Sequence, residues 1–209
     1  MKKSETERTL SLLLNQEGWQ EYQPLINSLR GWEHCELFLE MLGALDLNAL
    51  YKSPLHGIGH IERTMLFGAL EAMEQGLDKR DTELLLLCCS YHDVGRINDH
   101  WDTSHGQRSA QKLACLTGKS GQELKALMCA VEAHSMPDVF TEDVVAAYAP
   151  EDPQYALRLS ALLKDADGLD RVRINDLDPD FLRFETNKKH TSFAHFLFDR
   201  YERAAQGLA

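Results

Sequence analysis

The segment from Asp81 to Tyr91 constrains the fold of this chain more than any other stretch. Leucine or cysteine fills every position from Leu84 to Cys89, so a helix formed here is apolar on nearly every side. Such a helix belongs inside a protein rather than on its surface. The segment is therefore predicted to be a central helix, and it is followed directly by His92 and Asp93.

Helical patterns account for most of the remaining sequence. Apolar residues recur at spacings of three and four, and glycine or proline interrupts the pattern where one segment gives way to the next. We find no strand alternation, internal repeat or low-complexity linker. The fold is therefore predicted to be all-α, an irregular multi-helix arrangement, with helices over residues 5–15, 19–30, 33–50, 57–75, 81–91, 104–116, 121–134, 141–148, 154–169 and 191–205.

The chain is long enough to bury a full hydrophobic core. Its 209 residues, of which 44% are hydrophobic, match the usual size of one domain. We predict a single domain over residues 1–209, made of an N-terminal helical extension (1–52), a core that carries the functional residues (53–175) and a C-terminal helical extension (176–209). The first two helices are expected to pack as a flap or lid.

The net charge argues against extended nucleic acid as a partner. A charge of −11 and a pI near 5.2 repel a polyphosphate chain, although a local basic site or a metal still permits a small anionic ligand. The N-terminus lacks the apolar stretch of a signal peptide, and no apolar run reaches the length of a membrane span. A cytoplasmic protein without a membrane partner is expected.

The cysteines and tryptophans are predicted to pack in the core. The number of cysteines is odd, and their spacing matches neither a metal site nor a secretory disulfide framework. Reduced thiols among apolar neighbours are the expected state. The residues concerned are Cys35, Cys88, Cys89, Cys115, Cys129, Trp19, Trp32 and Trp101.

Histidines and aspartates elsewhere in the chain offer partners for His92 and Asp93. A histidine–aspartate pair at the end of a buried segment is most easily accommodated when a cation or another charge holds both side chains. His60 lies near a helix start and shares a face with Arg63, three residues later. His105 and His134 lie at helix ends, where an ordinary structural histidine is the alternative.

Two aspartates near the end of the predicted helix at 154–169 compete for one role. Asp165 and Asp167 are about 200° apart around a helix, so only one of them is expected to face a common site. We select Asp167, because Lys164 and Arg171 would flank it at spacings of three and four residues.

The order His60, then His92 and Asp93, then Asp167 resembles the HD superfamily of metal-dependent phosphohydrolases. The resemblance covers roughly residues 56–175. It includes a histidine followed three residues later by arginine, an apolar helix that leads into His-Asp-Val-Gly, and the sequence Lys-Asp-Ala-Asp-Gly-Leu-Asp. The tripeptide extension of the HD-GYP subfamily is not found, so no substrate signature accompanies the match.

The resemblance implies an all-helical fold with a central metal site. Its metal ligands would be His60, His92, Asp93 and Asp167, while His105 and His134 would bind a second metal or contact a phosphate. Imidazole and carboxylate ligands suit one or two divalent ions of Fe, Mn, Ni, Co or Zn, and Mg is a further candidate. We also predict Asp93 as a catalytic residue whose two oxygens bridge the two metals.

Several basic side chains are candidates to bind the phosphate of a small phosphorylated substrate. For each of them an exposed charge or a structural ion pair is the alternative. The remaining histidines, including His100 in a polar loop, are expected to be packing or surface residues. The predicted substrate-binding residues are Arg63, Arg96, Lys164, Arg171 and, as either a site contact or a helix-capping residue, His56.

Three functions fit these residues. The first is hydrolysis of a phosphomonoester, phosphodiester or nucleotide. The second is oxygenation by a di-iron centre, which some HD-type relatives use to cleave carbon bonds. The third is a regulatory module that binds nucleotide or metal without turnover. All three involve metal, so turnover rather than metal content distinguishes them.

Overall fold

The computed structural model describes residues 8–207, so the predicted start of the first helix at residue 5 lies outside the described residues. Within this range the chain is built from helices and contains no strand, which confirms the all-α prediction. The twelve α-helices are α1 (Thr9–Leu14), α2 (Gln23–Arg30), α3 (Cys35–Gly43), α4 (Ile58–Glu74), α5 (Lys79–Tyr91), α6 (His105–Ala110), α7 (Leu113–Thr117), α8 (Gly121–His134), α9 (Thr141–Tyr148), α10 (Pro153–Leu169), α11 (Glu185–Lys188) and α12 (Thr191–Ala205).

The predicted central helix is α5. Asp78 caps its N-terminus by accepting a hydrogen bond from the backbone N–H of Asp81 at 2.8 Å. Five of its six consecutive leucine and cysteine positions are fully buried, and the exception is Leu87. The helix packs against α3, α4, α7, α8 and α10, as an all-round apolar helix requires.

Helix α4 is the other element buried over most of its length. Each of the residues 60–72 is buried, including Glu62, Arg63 and Glu71. A helix that buries charged side chains must supply them with internal partners. Those partners come from α1, α11, α12 and the segment after α10. Helices α4, α5, α8 and α10 pack on one another and form the frame of the candidate site.

The two ends of the described chain meet on α4. Leu10 and Leu13 of α1 are fully buried in the same hydrophobic cluster as the helices that follow. The backbone N–H of Leu10 and the hydroxyl of Tyr201 both donate to Oε2 of Glu62, at 2.8 and 2.9 Å. The first of the two helices expected to form a flap or lid therefore packs on α4 with its apolar residues in the core.

Two predicted helices are shorter in the structure. The segment 33–50 is helical only over α3, and after it the side chain of Asp46 accepts from the backbone N–H of Asn48 at 3.0 Å, a turn that competes with the helix. The segment 104–116 is divided into α6 and α7. The division falls where Lys112 Nζ donates to the carbonyl oxygen of Val94 at 2.6 Å.

The cysteines and tryptophans follow the prediction only in part. All five cysteines are free thiols; Cys88, Cys89 and Cys129 are buried, whereas Cys115 is exposed. Trp19 is fully buried, but the prediction was wrong for Trp101, which is 83% exposed. Among the helices of residues 8–207, none combines the length and the apolar character that a membrane crossing needs.

Candidate metal centre

Four long helices and one short helix bring the six predicted metal ligands together. His60 lies in the first turn of α4, and His92 and Asp93 lie directly after α5. His105 begins α6, His134 ends α8, and Asp167 lies in the last turn of α10. His60, His92, Asp93 and His105 are buried, whereas the side chain of Asp167 is 22% exposed. The solvent-accessible side of the cluster is therefore at Asp167.

One group of ligand atoms surrounds the Nε2 atoms of His60 and His92, which lie 3.0 Å apart. Oδ1 of Asp167 is 3.3 Å from the first nitrogen and 3.8 Å from the second. Oδ2 of Asp93 is 3.6 Å and 3.8 Å from the same two atoms. Two imidazole nitrogens and two carboxylate oxygens thus converge on one point.

A second group lies on the other oxygen of the Asp93 carboxylate. Oδ1 of Asp93 is 3.1 Å from Nε2 of His105 and 3.6 Å from Nε2 of His134. The two histidine nitrogens are 2.9 Å apart. Asp93 therefore joins the two groups with one carboxylate oxygen in each.

The tautomers of these histidines direct lone pairs into the cluster. Nδ1 of His60 donates to Oδ2 of Asp170 at 2.8 Å, and Nδ1 of His92 donates to the carbonyl of Cys89 at 3.0 Å. His105 and His134 likewise place Nδ1 on the backbone carbonyls of Asp102 and Val131. Because a neutral imidazole carries one proton, each Nε2 is left as an acceptor. Facing acceptor nitrogens repel unless a cation lies between them.

Two carboxylate oxygens without hydrogen-bond partners also indicate that a cation could bind in this cluster. Oδ1 of Asp93 and Oδ1 of Asp167 are buried and have no hydrogen-bond partner. Nε of Arg96 lies 2.9 Å from Oδ1 of Asp93, but the contact lacks hydrogen-bond geometry. Buried carboxylate oxygens without donors are rare in folded proteins. Metal ligation is the usual way in which such an oxygen is satisfied.

Two glycines allow close contacts of α6 with the turn after α5 and with α8, the elements that carry His105, Asp93 and His134. A Cβ on Gly95 would lie 2.4 Å from both the carbonyl oxygen of His105 and the backbone nitrogen of Ser109. A Cβ on Gly106 would lie 2.5 Å from Oγ of Ser135 at the end of α8. Only residues without a side chain fit at these contacts. The glycines thereby let α6 press against the turn that holds Asp93 and against α8.

Basic residues of the α6 region hold the turn after α5. Arg108 Nε donates to the carbonyl oxygen of Gly95 at 2.8 Å, and Lys112 Nζ donates to that of Val94. These carbonyls lie at the C-terminal end of a helix, where positive charge is favourable. The turn that presents Asp93 is therefore fixed from the side of His105.

The buried ligands are held in the protonation states that bind metal. Burial lowers the pKa of His92 to about 3. Burial alone would raise the pKa of Asp93, but the electrostatic interactions with the surrounding imidazoles, of which that with His92 is the largest, hold it well below its usual range. His60 and His92 lower the pKa of Asp167 in the same way. Neutral imidazole and ionised carboxylate are the forms that ligate metal.

Two of the predicted substrate-binding residues lie at the cluster. Nδ1 of His56 is 3.0 Å from Oδ2 of Asp93 and 3.2 Å from Nη2 of Arg173. Nε of Arg96 is unpartnered beside Oδ1 of Asp93, and the Arg96 side chain is 12% exposed. His56 and Arg96 therefore both lie against the carboxylate of Asp93.

The other three predicted substrate contacts bind protein groups elsewhere, so the structure does not support that part of the prediction. The buried guanidinium of Arg63 binds Asp170 and Glu202. Lys164 Nζ donates to the carbonyl of Met136, to Asp138 and to Thr141, and Arg171 pairs with Asp176. Internal acceptors take up Arg63 and Lys164, whereas Arg171 lies at the surface in a pair with exposed Asp176.

The structure agrees with the choice of Asp167 over Asp165 as the residue that faces the cluster. The reason given for that choice, flanking positive charge from Lys164 and Arg171, was wrong. Asp165 accepts hydrogen bonds from the backbone N–H groups of Arg183 and Phe184 and from the Asn187 side chain, so it holds a loop. Asp167 faces the histidines although Lys164 and Arg171 bind other groups. The helical separation of the two carboxylates, rather than flanking charge, distinguishes them.

Two site residues were missed from the sequence. Asp170 accepts from Nδ1 of His60, and Arg173 places Nη1 3.9 Å from Oδ1 of Asp167. Asp170 belongs to the Lys-Asp-Ala-Asp-Gly-Leu-Asp sequence, one turn after Asp167. That spacing was an available signal for a carboxylate on the same side of the helix. No comparable sequence pattern marks Arg173.

The remaining histidines lie outside the cluster, as expected. His190 binds Glu74 through Nε2 at 2.9 Å. His34 packs edge-on against Trp32, and His100 and His195 are exposed. Within residues 8–207, three overlapping groups have the spacing of metal ligands: His56, His60 and Asp93; His60, His92 and Asp167; and His92, Asp93 and His134.

The donor set fits a divalent ion. Ligand atoms about 2.1 Å from one ion lie about 3.0 Å apart at right angles and somewhat farther apart in a tetrahedral arrangement. The shorter separations within the cluster, from 2.9 to 3.3 Å, match that range, and the longer ones, 3.6 and 3.8 Å, exceed it by a few tenths of an ångström. Imidazole nitrogen and carboxylate oxygen are ligands of Zn, Fe, Mn, Co and Ni. Comparisons with protein-family models, with curated proteins and with solved structures find no match to this chain.

Proposed function

We propose that this chain is a metal-dependent phosphohydrolase of the HD type. The observation that carries the proposal is the carboxylate of Asp93, which places one oxygen beside His60 and His92 and the other beside His105 and His134. The order of these residues along the chain is the order that the HD resemblance implies. The fold around them is all-helical, as that resemblance also implies.

The side chains divide into two sets of ligands. His60, His92, Asp167 and Oδ2 of Asp93 would hold one divalent ion, and His105, His134 and Oδ1 of Asp93 would hold another. Bound there, such ions supply a Lewis acid for phosphoryl oxygens and lower the pKa of a bound water. Asp93 contributes by fixing the spacing of the two sets, which is its proposed catalytic role.

Two arginines favour an anionic substrate over a neutral one. The cluster contains the carboxylates of Asp93, Asp167 and Asp170, and Arg96 and Arg173 bring positive charge beside them. Arg173 binds the carbonyls of Leu55 and Asp170 and Nδ1 of His56, so Arg96 is the guanidinium of the two that would bind phosphate oxygens in a fork. Because the net charge of −11 disfavours long polyanions, a small phosphomonoester, phosphodiester or nucleotide is the substrate class that fits best.

Turnover of a phosphoester panel tests the proposal. Metal-free protein loaded with Mn, Co, Ni or Fe is expected to release phosphate or a phosphorylated product from a member of the panel, and His92→Ala and Asp93→Ala are expected to abolish that release. The exposed His100 supplies a control, since His100→Ala should leave turnover intact. Folded His92→Ala and Asp93→Ala proteins that keep both metal and activity would show that the site is misplaced.

Assays on the same metal-loaded protein distinguish the two alternative functions, a di-iron oxygenase and a regulatory module without turnover. Oxygen consumption and a mixed-valent iron signal, without phosphoester cleavage, would favour a di-iron oxygenase over a hydrolase. Tight nucleotide binding without product would favour a regulatory module. Elemental analysis of protein purified without added metal identifies the ion with which each assay should be run.

A further inference from the structure

A buried ion pair lies behind the first histidine of the candidate metal centre. Oδ2 of Asp170 accepts a hydrogen bond from Nδ1 of His60 at 2.8 Å. Arg63 donates to the same carboxylate through two nitrogens, from Nε to Oδ1 at 2.6 Å and from Nη2 to Oδ2 at 3.1 Å. Asp170 is fully buried and Arg63 is 2% exposed. None of these contacts involves the position that a bound ion would take.

The ion pair determines which nitrogen of His60 faces the cluster. With its proton on Nδ1 and directed at Asp170, the ring presents the lone pair of Nε2 to His92 and Asp167. The hydroxyl of Thr64 lies farther from Nδ1, at 3.3 Å, and is the weaker contact. A carboxylate on the distal nitrogen of a ligating imidazole fixes its orientation and increases its basicity.

Arg63 keeps the Asp170 carboxylate ionised in a buried position. An unpaired carboxylate with no solvent contact is strongly disfavoured, and the bidentate guanidinium supplies the opposite charge with matching geometry. Nη1 of Arg173 adds a more distant positive charge, 3.7 Å from Oδ2 of Asp170. The pair therefore acts as a unit, since removing either member leaves a buried charge without its partner.

The C-terminal helix holds Arg63 in place. The guanidinium carbon of Arg63 lies 5.0 Å from the ring centres of both Phe198 and Tyr201, and Nη1 is 3.3 Å from Oε1 of Glu202. Aromatic faces attract a guanidinium at this distance. Helix α12, which carries no predicted metal ligand, thus reaches His60 through Arg63 and Asp170.

We propose that Asp170 is a positioning residue for His60 in the metal centre, and that Arg63 and α12 hold the Asp170 carboxylate in the orientation that accepts from Nδ1 of His60. The proposal rests on the proposed function only where it takes His60 as a metal ligand. It gives Arg63 an internal role in place of the phosphate contact expected from the sequence.

Metal binding and the tautomer of His60 test the proposal separately from turnover. Asp170→Asn keeps the size of the side chain but removes its charge, and the amide group would face either the N–H of His60 or the donors of Arg63. Titration of the metal-free protein with Co²⁺ should show a dissociation constant raised by roughly 10- to 100-fold, together with a changed visible ligand-field spectrum. An unchanged affinity and spectrum would overturn the proposal.

Glu62→Gln is the matched control. Glu62 precedes Arg63 on α4, is 1% exposed, and accepts from Leu10 and Tyr201 rather than from a predicted ligand. This variant should leave the cobalt affinity and spectrum unchanged. An equal loss of affinity in both variants would mean that any perturbation of the α4 core weakens the site, which contradicts a specific role for Asp170.

The wild-type protein provides a test that does not depend on a foldable variant. Nitrogen chemical shifts of the histidine rings in the metal-free protein should place the His60 proton on Nδ1, and a proton on Nε2 would overturn the proposal. If the wild-type protein binds no cobalt, both this proposal and the proposed function are wrong. If Asp170→Asn binds cobalt as the wild type does, only this proposal is wrong.

Discussion

Nε2 of His105 lies 3.1 Å from Oδ1 of Asp93, the carboxylate oxygen that does not face His60. Oδ2 of the same carboxylate lies 3.6 Å from Nε2 of His60. A single aspartate therefore contacts two histidine groups that are carried by different helices. This arrangement offers one carboxylate oxygen to each histidine group, and it leads to the first prediction, which concerns the number of ions bound.

Removal of His134 is expected to lower the metal content from near two ions per chain to near one. His134 and His105 are the only imidazoles within the described chain that lie on the Oδ1 side of Asp93, whereas the His60 group keeps four ligands of its own. Elemental analysis of wild-type protein and His134→Ala measures the change, with the exposed His195→Ala as control. One ion in both proteins would contradict a second site.

Gly95→Ala is expected to destabilise the protein and to disturb the His105 side of the centre. Its Cβ would lie 2.4 Å from two backbone atoms, and overpacking of a tight contact typically costs about 1–3 kcal/mol. The free energy of unfolding in urea and the metal content of the folded variant are the measurements.

Gly43→Ala is the control for that substitution. Gly43 lies in α3 and has no heavy atom within 4 Å of an added Cβ, so alanine should be neutral or stabilising by up to about 1 kcal/mol. If both variants were equally stable, the close approach of α6 to the turn at Gly95 would not be as tight as the structure shows.

Glu71→Gln is expected to stabilise the protein increasingly as the pH rises above about 4.5. Burial, and secondly the charge of Asp165, raise the pKa of Glu71 well above its ordinary value, and Oε2 has no partner. A group with a raised folded-state pKa stabilises fully below its unfolded pKa, and that contribution is lost as pH rises through the folded pKa. Glutamine has no proton to lose.

The difference in unfolding free energy between Glu71→Gln and wild type measures this effect. This difference should be smallest near pH 4. It should grow by at most about 1.4 kcal/mol per pH unit between the unfolded-state pKa of Glu71 and its raised folded-state pKa. Glu142→Gln, at an exposed position of α9, should stay within about 0.5 kcal/mol of wild type at each pH. A difference for Glu71→Gln that is constant with pH would show that Glu71 does not bind the extra proton.

Arg96→Gln is expected to weaken substrate binding. Within the described residues the side chain makes no hydrogen bond, and its ion pair is with Oδ1 of Asp93, 2.9 Å from Nε, so the substitution removes that pair and no other internal contact. Loss of a charged hydrogen bond to phosphate of about 1.5–3 kcal/mol corresponds to roughly a 10- to 100-fold lower kcat/KM. Arg171→Gln, which removes only a surface pair with Asp176, should keep wild-type kinetics. Equal kinetics in both variants would exclude Arg96 as a phosphate contact.

The sequence predicted the members of the candidate cluster better than their surroundings. Apolar periodicity placed α4, α5, α8 and α10, and the positions of the histidines and of Asp167 at the ends of these helices followed from it. The role of Arg63 did not follow, because its partner Asp170 is 107 residues away along the chain. Periodicity shows which face of a helix is buried, but not which distant residue meets a buried charge.

Exposed Trp101 illustrates the same limit in a loop. Composition favours a buried tryptophan, yet the segment after Asp93 turns outward between Ser53, which bonds Asp99, and the pairing of Asp102 with Arg108. These polar contacts, rather than apolar spacing, determine where the loop runs. Residue type alone does not reveal them.

The two aspartates of α10 should respond oppositely to the same substitution. Asp167→Asn removes a carboxylate whose Oδ1 has no hydrogen-bond partner, so the metal-free protein should lose less stability than it does in Asp165→Asn. The variant should nevertheless lose the rise in Tm that added Mn or Co produces in wild type, because a ligand stabilises a protein only when it binds the folded state.

Asp165→Asn should show the reverse. Its carboxylate accepts from two backbone N–H groups, from Arg183 and from Asn187, and a buried charged network that loses one partner is destabilised by about 3–5 kcal/mol. The fraction that folds should still gain Tm on addition of Mn or Co. Thermal unfolding of both variants with and without metal, against a chelator control, measures the contrast. A metal-dependent rise in Tm for Asp167→Asn that equals the wild-type rise would remove Asp167 from the ligand set.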